Sequence, residues 1–135
     1  YGEVWQQKLD EGGQMTGKIV GPTEIKAHGN IQKIIREFAG RVNTGTDDVS
    51  IAMMSSPEGW IEPGQTPEFN EYTVVLRGTL QVQTDGETHE ISAGQAFIAS
   101  KNQWVQYSTP LPGGAEYMAV CIPAFSPELV HRDES

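Results

Sequence analysis

Between residues 48 and 122 the chain is cut into short apolar runs by turn-forming residues, at intervals too brief for strands to alternate with helices. The run 48–55 (DVSIAMMS) stops at Pro57-Glu58-Gly59, and Trp60-Ile61 runs straight into Pro63-Gly64. Residues 72–77 and 79–84 flank Gly78, at which the first of these runs is expected to reverse into the second. Asp85-Gly86 then makes a tight hairpin signal before 87–91. Ala93-Gly94 precedes 96–99, Lys101-Asn102 precedes 104–108, and the loop 110–114 precedes 116–122. This rhythm predicts an all-β sandwich or closed barrel rather than alternating β and α units. Fifteen glycines and eight prolines, spread over the whole chain, supply the punctuation.

At 135 residues the chain suits a single domain, 1–135, large enough to build a core without disulfides. Its one cysteine, Cys121, has no partner for an intramolecular bridge, so a reducing cytoplasm is the expected location. Neither a membrane span of about 20 apolar residues nor a basic-then-apolar leader is present, and no membrane association is expected. A net charge of −9 without a Lys/Arg cluster opposes close approach to a phosphate backbone, which argues against nucleic acid as a partner.

Before the β-rich part come two segments of different texture. Residues 1–29 are polar and glycine-rich and read as an N-terminal arm carrying one or two edge strands, at 18–20 and 23–27. In 30–39 (NIQKIIREFA), Ile31, Ile34, Ile35 and Phe38 fall at i, i+3, i+4 and i+7. That spacing predicts one short helix, capped by Asn30 and ended by Gly40. The β-barrel is expected over 48–123, followed by a C-terminal tail, 124–135, stiffened by Pro123 and Pro127.

The β-rich part carries a pattern of its own. Glu71 precedes Gly78 by seven positions; Gly94, the apolar run 96–99, the turn 100–102 and the aromatic strand 104–107 come after them. In this the chain resembles the cupin superfamily over about 50–122, with some similarity to ethanolamine-utilisation-type cupins. The resemblance implies a double-stranded β-helix, or jelly-roll barrel. It also implies that Glu71 stands where these proteins place a metal-ligating glutamate. The histidines of both family motifs are missing: Glu68, Phe69 and Asn70 occupy the first motif's histidine region, and Val105 stands at the second motif's position. A three-histidine, one-glutamate site cannot be built from these residues.

What remains is a set rich in oxygen. Strand parity puts Glu71, Thr73 and Val75 on one face, and Val105 and Tyr107 on one face of their own strand; in a cupin barrel both faces look inward. Glu68, Glu71 and Tyr107, with His89, can then converge on one cavity, and carboxylates suit a hard or borderline divalent ion such as Mn, Fe, Ni or Zn. Glu68, Glu71 and His89 are the candidate metal ligands. Glu68, Thr73, Val105, Tyr107, Trp60 and Phe97 are the candidate ligand contacts, and Glu71 is the candidate catalytic group. Each has a structural alternative: Glu71 can instead hold the amides at Gly64 or Gln65, Glu68 and His89 can be solvated, and Trp60, Phe97 and Tyr107 can be core. In the tail, His131, Arg132, Asp133 and Glu134 form a titratable run that can be solvated or can fold over the barrel mouth toward a ligand carboxylate. Cys121, between Val120 and Ile122, is expected to be buried and inert.

Two function classes suit these residues. In one, a cupin domain binds a small molecule in the barrel. In the other, a metal-dependent isomerase or lyase acts through Glu71 on a small organic acid, sugar or amino-acid derivative. A homodimer is expected, because jelly rolls of this size often bury an open sheet edge against a copy of themselves.

Overall fold

A computed structural model describes residues 5–9 and 15–134. In chain order its elements are β1 (Trp5–Leu9), β2 (Met15–Ile19), β3 (Thr23–Ile25), β4 (Ile34–Ala39), β5 (Ser50–Ser56), β6 (Trp60–Ile61), β7 (Asn70–Thr84), β8 (Glu87–Ser92), β9 (Ala96–Ala99), β10 (Gln106–Thr109), β11 (Ala115–Ile122) and the single-turn helix α1 (Pro127–Val130). β1 and β2 pair in an antiparallel ribbon; the arm expected over 1–29 lies partly outside the described residues. The other strands form one curled antiparallel sheet in the order β3-β4-β5-β11-β7-β10-β6, with β8 and β9 also pairing with β7. No helix among the described residues is long and apolar enough to cross a membrane.

β7 does the curling. Its first part, from Glu71 to Val74, lies between β9 and β11, and its last part, from Thr79 to Thr84, lies along β8, with β10 on the other side. Gly78 does not reverse the chain, as expected from the sequence, but bends one continuous strand. A reversal needs a turn, whereas Gly78, at φ +75° and paired with Ala115, lies beside a bulge in which Leu76 is the extra residue between the Arg77–Glu116 and Val75–Tyr117 pairs. A Cβ at Gly78 would collide with the Gly114 carbonyl.

The helix expected over 30–39 is absent. Residues 30–33 are irregular, and β4 pairs with β3 and β5, which also brings the sheet's start forward from 48 to Thr23. The isoleucine spacing fits a helix, but β-branched side chains favour a strand once neighbours supply the ladder. Asn30 caps nothing: its Nδ2 donates to the Gly59 carbonyl (3.0 Å) and its Oδ1 accepts from the Ile61 amide (2.8 Å). Alternation from Lys33 into β4 turns Lys33, Ile35 and Glu37 inward and leaves Ile34 and Arg36 outside.

Two apolar clusters fill the interior. One joins Trp60, Val75, Leu80, Val82, Ile91, Val105 and Tyr107 with Tyr117; the other joins Phe69, Cys121 and Val130, backed by Phe125 and Leu129. The second depends on the tail. Ser126 Oγ accepts from the Glu128 amide (3.2 Å) to start α1, with Pro127 in the first turn, and His131 at φ +49° ends it. Beyond that, the amides of Thr66, Glu68 and Asp133 donate to the carbonyls of His131, Leu129 and Gly64, and Trp104 Nε1 donates to Asp133 (2.8 Å). The tail is therefore a strap laid across the loop that leads into β7.

Candidate functional site: a cavity lined by ionisable residues

The alternation along β7 is clear: Thr73 and Val75 are 1% and 0% exposed, while Tyr72 and Val74 are 40% and 44% exposed. Glu71 shares the inner face and looks into a cavity of about 80 Å³ whose lining draws on both apolar clusters. Bordering this space leaves Glu71 partly accessible to a water-sized probe, although protein surrounds its carboxyl on every side. Burial, reinforced by the neighbouring Glu62 carboxylate and opposed by Lys33, pushes Glu71 up to about 7.

Glu62 enters from the end of β6. Its amide donates to the Tyr107 carbonyl (3.3 Å) and its carbonyl accepts from Gln106 Nε2 (3.0 Å), so the backbone is fixed while the carboxyl faces the cavity. Burial raises it, and Lys33 and Arg132 hold it back. Tyr107, on β10, brings a buried hydroxyl with no hydrogen-bond partner; burial and the two carboxylates push it well above its ordinary value.

The cations come from elsewhere. Lys33 is 8% exposed, its Nζ 3.9 Å from the centre of the Trp60 ring and donating to Tyr117 Oη (3.1 Å), which is also within 2.9 Å of Ser56 Oγ. Arg132 arrives on the strap, bridged to Gln65, with its guanidinium 5.7 Å from the Phe125 ring and its buried Nε unpartnered. His28 also borders the cavity and is lowered by burial and then by Arg132, Lys26 and Lys33, which favours the neutral ring. Cys121 lines the wall as a thiol pushed well up by burial and Glu71, consistent with an inert role.

Of the residues singled out from the sequence, the fold brings together Glu71 and Tyr107. Glu68 points to the surface, where its carboxylate meets His131 and ties down the strap. Thr73 is buried behind the cavity, its Oγ1 unpartnered. Val105, Trp60 and Phe97 belong to the core, with Trp60 serving as the platform for Lys33 and its Nε1 donating to the His28 carbonyl (3.2 Å). His89 lies by Thr84, Glu87 and Phe97 and does not meet Glu71. Glu68, Glu71 and His89 thus do not converge, and among the described residues no group of three His, Cys, Asp or Glu side chains is placed to hold a metal ion. Around Glu71 the cavity holds Glu62, two phenols and the cations Lys26, Lys33 and Arg132, with Glu37 committed to the amides of Val42 and Asn43 and Cys121 held as the thiol, a set that does not fit the metal that the family resemblance implies.

Glu62, Lys33 and Tyr117 are site residues that the sequence did not single out. Lys33 stands out only as one of several polar residues among the isoleucines of 30–39, and a helical reading places its charge in solvent.

The curl, the strand order and the inward carboxylate together define a cupin-fold protein, a double-stranded β-helix, and solved structures agree. The chain is similar to a putative ethanolamine utilization protein Q from Salmonella typhimurium (17% identity, TM-score 0.64, 90% of this chain and 95% of that one). It is also similar to the polyketide cyclase RemF of Streptomyces resistomycificus (19%, 0.66, 84% and 81%). A third likeness is to oxalate decarboxylase of Bacillus subtilis (16%, 0.66, 82% and 30%). No protein-family model matches the sequence. A curated relative, the endoribonuclease YbeY of Myxococcus xanthus, is 43% identical over 101 residues, which are 75% of this chain and 34% of that protein. The chain therefore spans about a third of the length of that relative.

Proposed function

We propose that this cupin-fold chain binds a small molecule in the cavity bordered by Lys33, Glu62, Glu71, Tyr107 and Arg132. The observation that carries the reading is that ionisable side chains from separate parts of the chain, these five among them, border one cavity, with Tyr107 Oη and Arg132 Nε left unpaired. A buried polar group without a partner costs about 1–3 kcal/mol, which a bound ligand would recover. The test is a fragment screen by thermal shift on the wild type and on Ala52→Leu, which fills the cavity wall. Hits that vanish in a folded Ala52→Leu support the reading; hits that persist there sink it.

A second reading is favoured by Glu71 alone. A carboxyl that titrates at about 7 beside a phenol can take and return a proton near neutral pH, as an isomerase or lyase acting on a small organic acid, sugar or amino-acid derivative requires. RNA is a poor fit for this site: a net charge of −9 repels a phosphate backbone, and the match to the endoribonuclease covers only a third of that protein.

For assembly, we infer a homodimer through the outer face of β9, β7 and β11. Tyr72, Val74, Leu76, Ile98 and Ile122 are 40–63% exposed there and share the outward parity. On a chain of net charge −9, a face this poor in charge suits a second copy of itself better than a charged partner. Light scattering should give twice the chain mass for the wild type and the chain mass for Val74→Glu; a wild-type monomer would overturn the inference.

A further inference from the structure

The cavity holds its positive charge in an unusual way. Among the described residues neither Lys33 nor Arg132 makes an ion pair, although three carboxylates line the same space. One of the three is committed elsewhere: a single Glu37 oxygen accepts from the amides of Val42 (3.0 Å) and Asn43 (2.7 Å), holding the turn after β4. Of the three donors on the Lys33 ammonium, one is used on Tyr117. The Arg132 guanidinium rests on Phe125 with its Nε buried and unused. Lys33 is withdrawn from water and Arg132 half so, with carboxylates across the cavity but none in contact, and an anion touching both would offset the cost of leaving their donors unused.

Resting on the small-molecule reading above, we infer that the ligand is a small monocarboxylate bound through its carboxylate to Lys33 and Arg132. The rest of the wall says what kind of anion fits. Ile25, Ile35, Met54 and Phe125 offer apolar surface to a short carbon chain. Glu62 and Glu71 would repel the second charge of a phosphate or dicarboxylate, whereas a single negative charge can sit between Lys33 and Arg132 with less of that repulsion. A planar carboxylate also matches the edge of a guanidinium, which a spherical ion does not. At about 80 Å³ the space suits a small acid rather than a large one. The same arrangement would set the acid's body beside Glu71 and Tyr107, the groups suited to moving a proton.

The test measures binding of acetate, propanoate and 2-oxopropanoate by calorimetry, each beside its neutral amide, on the wild type, Arg132→Gln, Arg132→Lys and Lys33→Met. Each acid should bind at least about tenfold more tightly than its amide. Arg132→Gln should lose about tenfold of that affinity for the acids and none for the amides, and Arg132→Lys should keep part of it. Because Lys33 is buried and its variant can misfold, Arg132→Gln decides the matter alone if it does. Amides that bind as well as acids, with both lost in Ala52→Leu, overturn the carboxylate inference and leave the binding cavity standing. No binding by either class, with the fragment screen also empty, overturns both.

Discussion

β7 and β4 both line the cavity, yet they contribute to it in opposite ways. β7 is paired on both sides, and its inner face is mainly apolar, with Thr73 and Val75 buried and Glu71 the one charged exception. β4, with Lys33 just before it, lies toward the edge, and its polarity is inverted: Lys33 and Glu37 point in at 8% and 3% exposure, while Ile34 points out at 37%. The difference teaches that apolar patterning finds the buried face only where that face packs against other apolar groups. Where a strand faces a polar cavity, charged residues such as Lys33 and Glu37 share the inner face with Ile35, while Ile34 and Arg36 lie outside. β7 supplies the acid of the site; the segment leading into β4 supplies the cation that restrains it.

The comparison can be broken most decisively at the bend of β7. Gly78→Val forces a β-branched residue into a left-handed backbone and drives its Cβ into the Gly114 carbonyl. It should cost about 3 kcal/mol or more and leave little folded protein, read by urea denaturation and circular dichroism. A folded variant of wild-type stability would show that β7 is not bent as described.

Next in size is the charge of Glu71. Because the fold raises its pKa to about 7 from an ordinary 4.5, folding favours the protonated form. The contribution is complete below about pH 4.5 and is lost as pH rises through about 7, amounting to on the order of 3 kcal/mol. Glu62, raised in the same direction, adds to the trend. Urea midpoints of the wild type should fall between pH 4.5 and 7, and Glu71→Gln should flatten that slope and be the more stable protein above pH 7. Parallel profiles for the two proteins would place Glu71 in a solvated setting.

The smallest effect sharpens the link between the two strands. Lys33→Met keeps the hydrocarbon stem over Trp60 but removes the charge that lowers Glu71, so the Glu71 carboxyl should titrate above its wild-type value by NMR. Stability should change by no more than about 2 kcal/mol, since a buried, weakly partnered cation is exchanged for an apolar chain of similar length. An unmoved Glu71 titration would separate the two walls of the site.

How much was legible divides along the same line. The strand rhythm after Asp48, the Asp85-Gly86 hairpin and the Glu71 to Gly78 spacing identify the fold, because turn chemistry and alternation are local and these turns obey it. The period-2 alternation also places Glu71 inside. The segment 30–39 is misread because its isoleucines fall at a helical spacing, and only pairing with β3 and β5 selects the strand. Glu68 and His89 are set apart because each finds a closer partner, His131 in the strap and Thr84 across the hairpin.

By itself the sequence determined a cupin-fold barrel with a glutamate on the inner face of its central strand and without the histidines that would join it to a metal. Tertiary structure alone decided what surrounds that glutamate. Glu62, Lys33, Tyr107 and Arg132 lie 9, 38, 36 and 61 positions from Glu71 in the chain, so no local pattern relates them. They meet because the sheet curls and the strap crosses the loop before β7, and burial and charge act through space rather than along the chain.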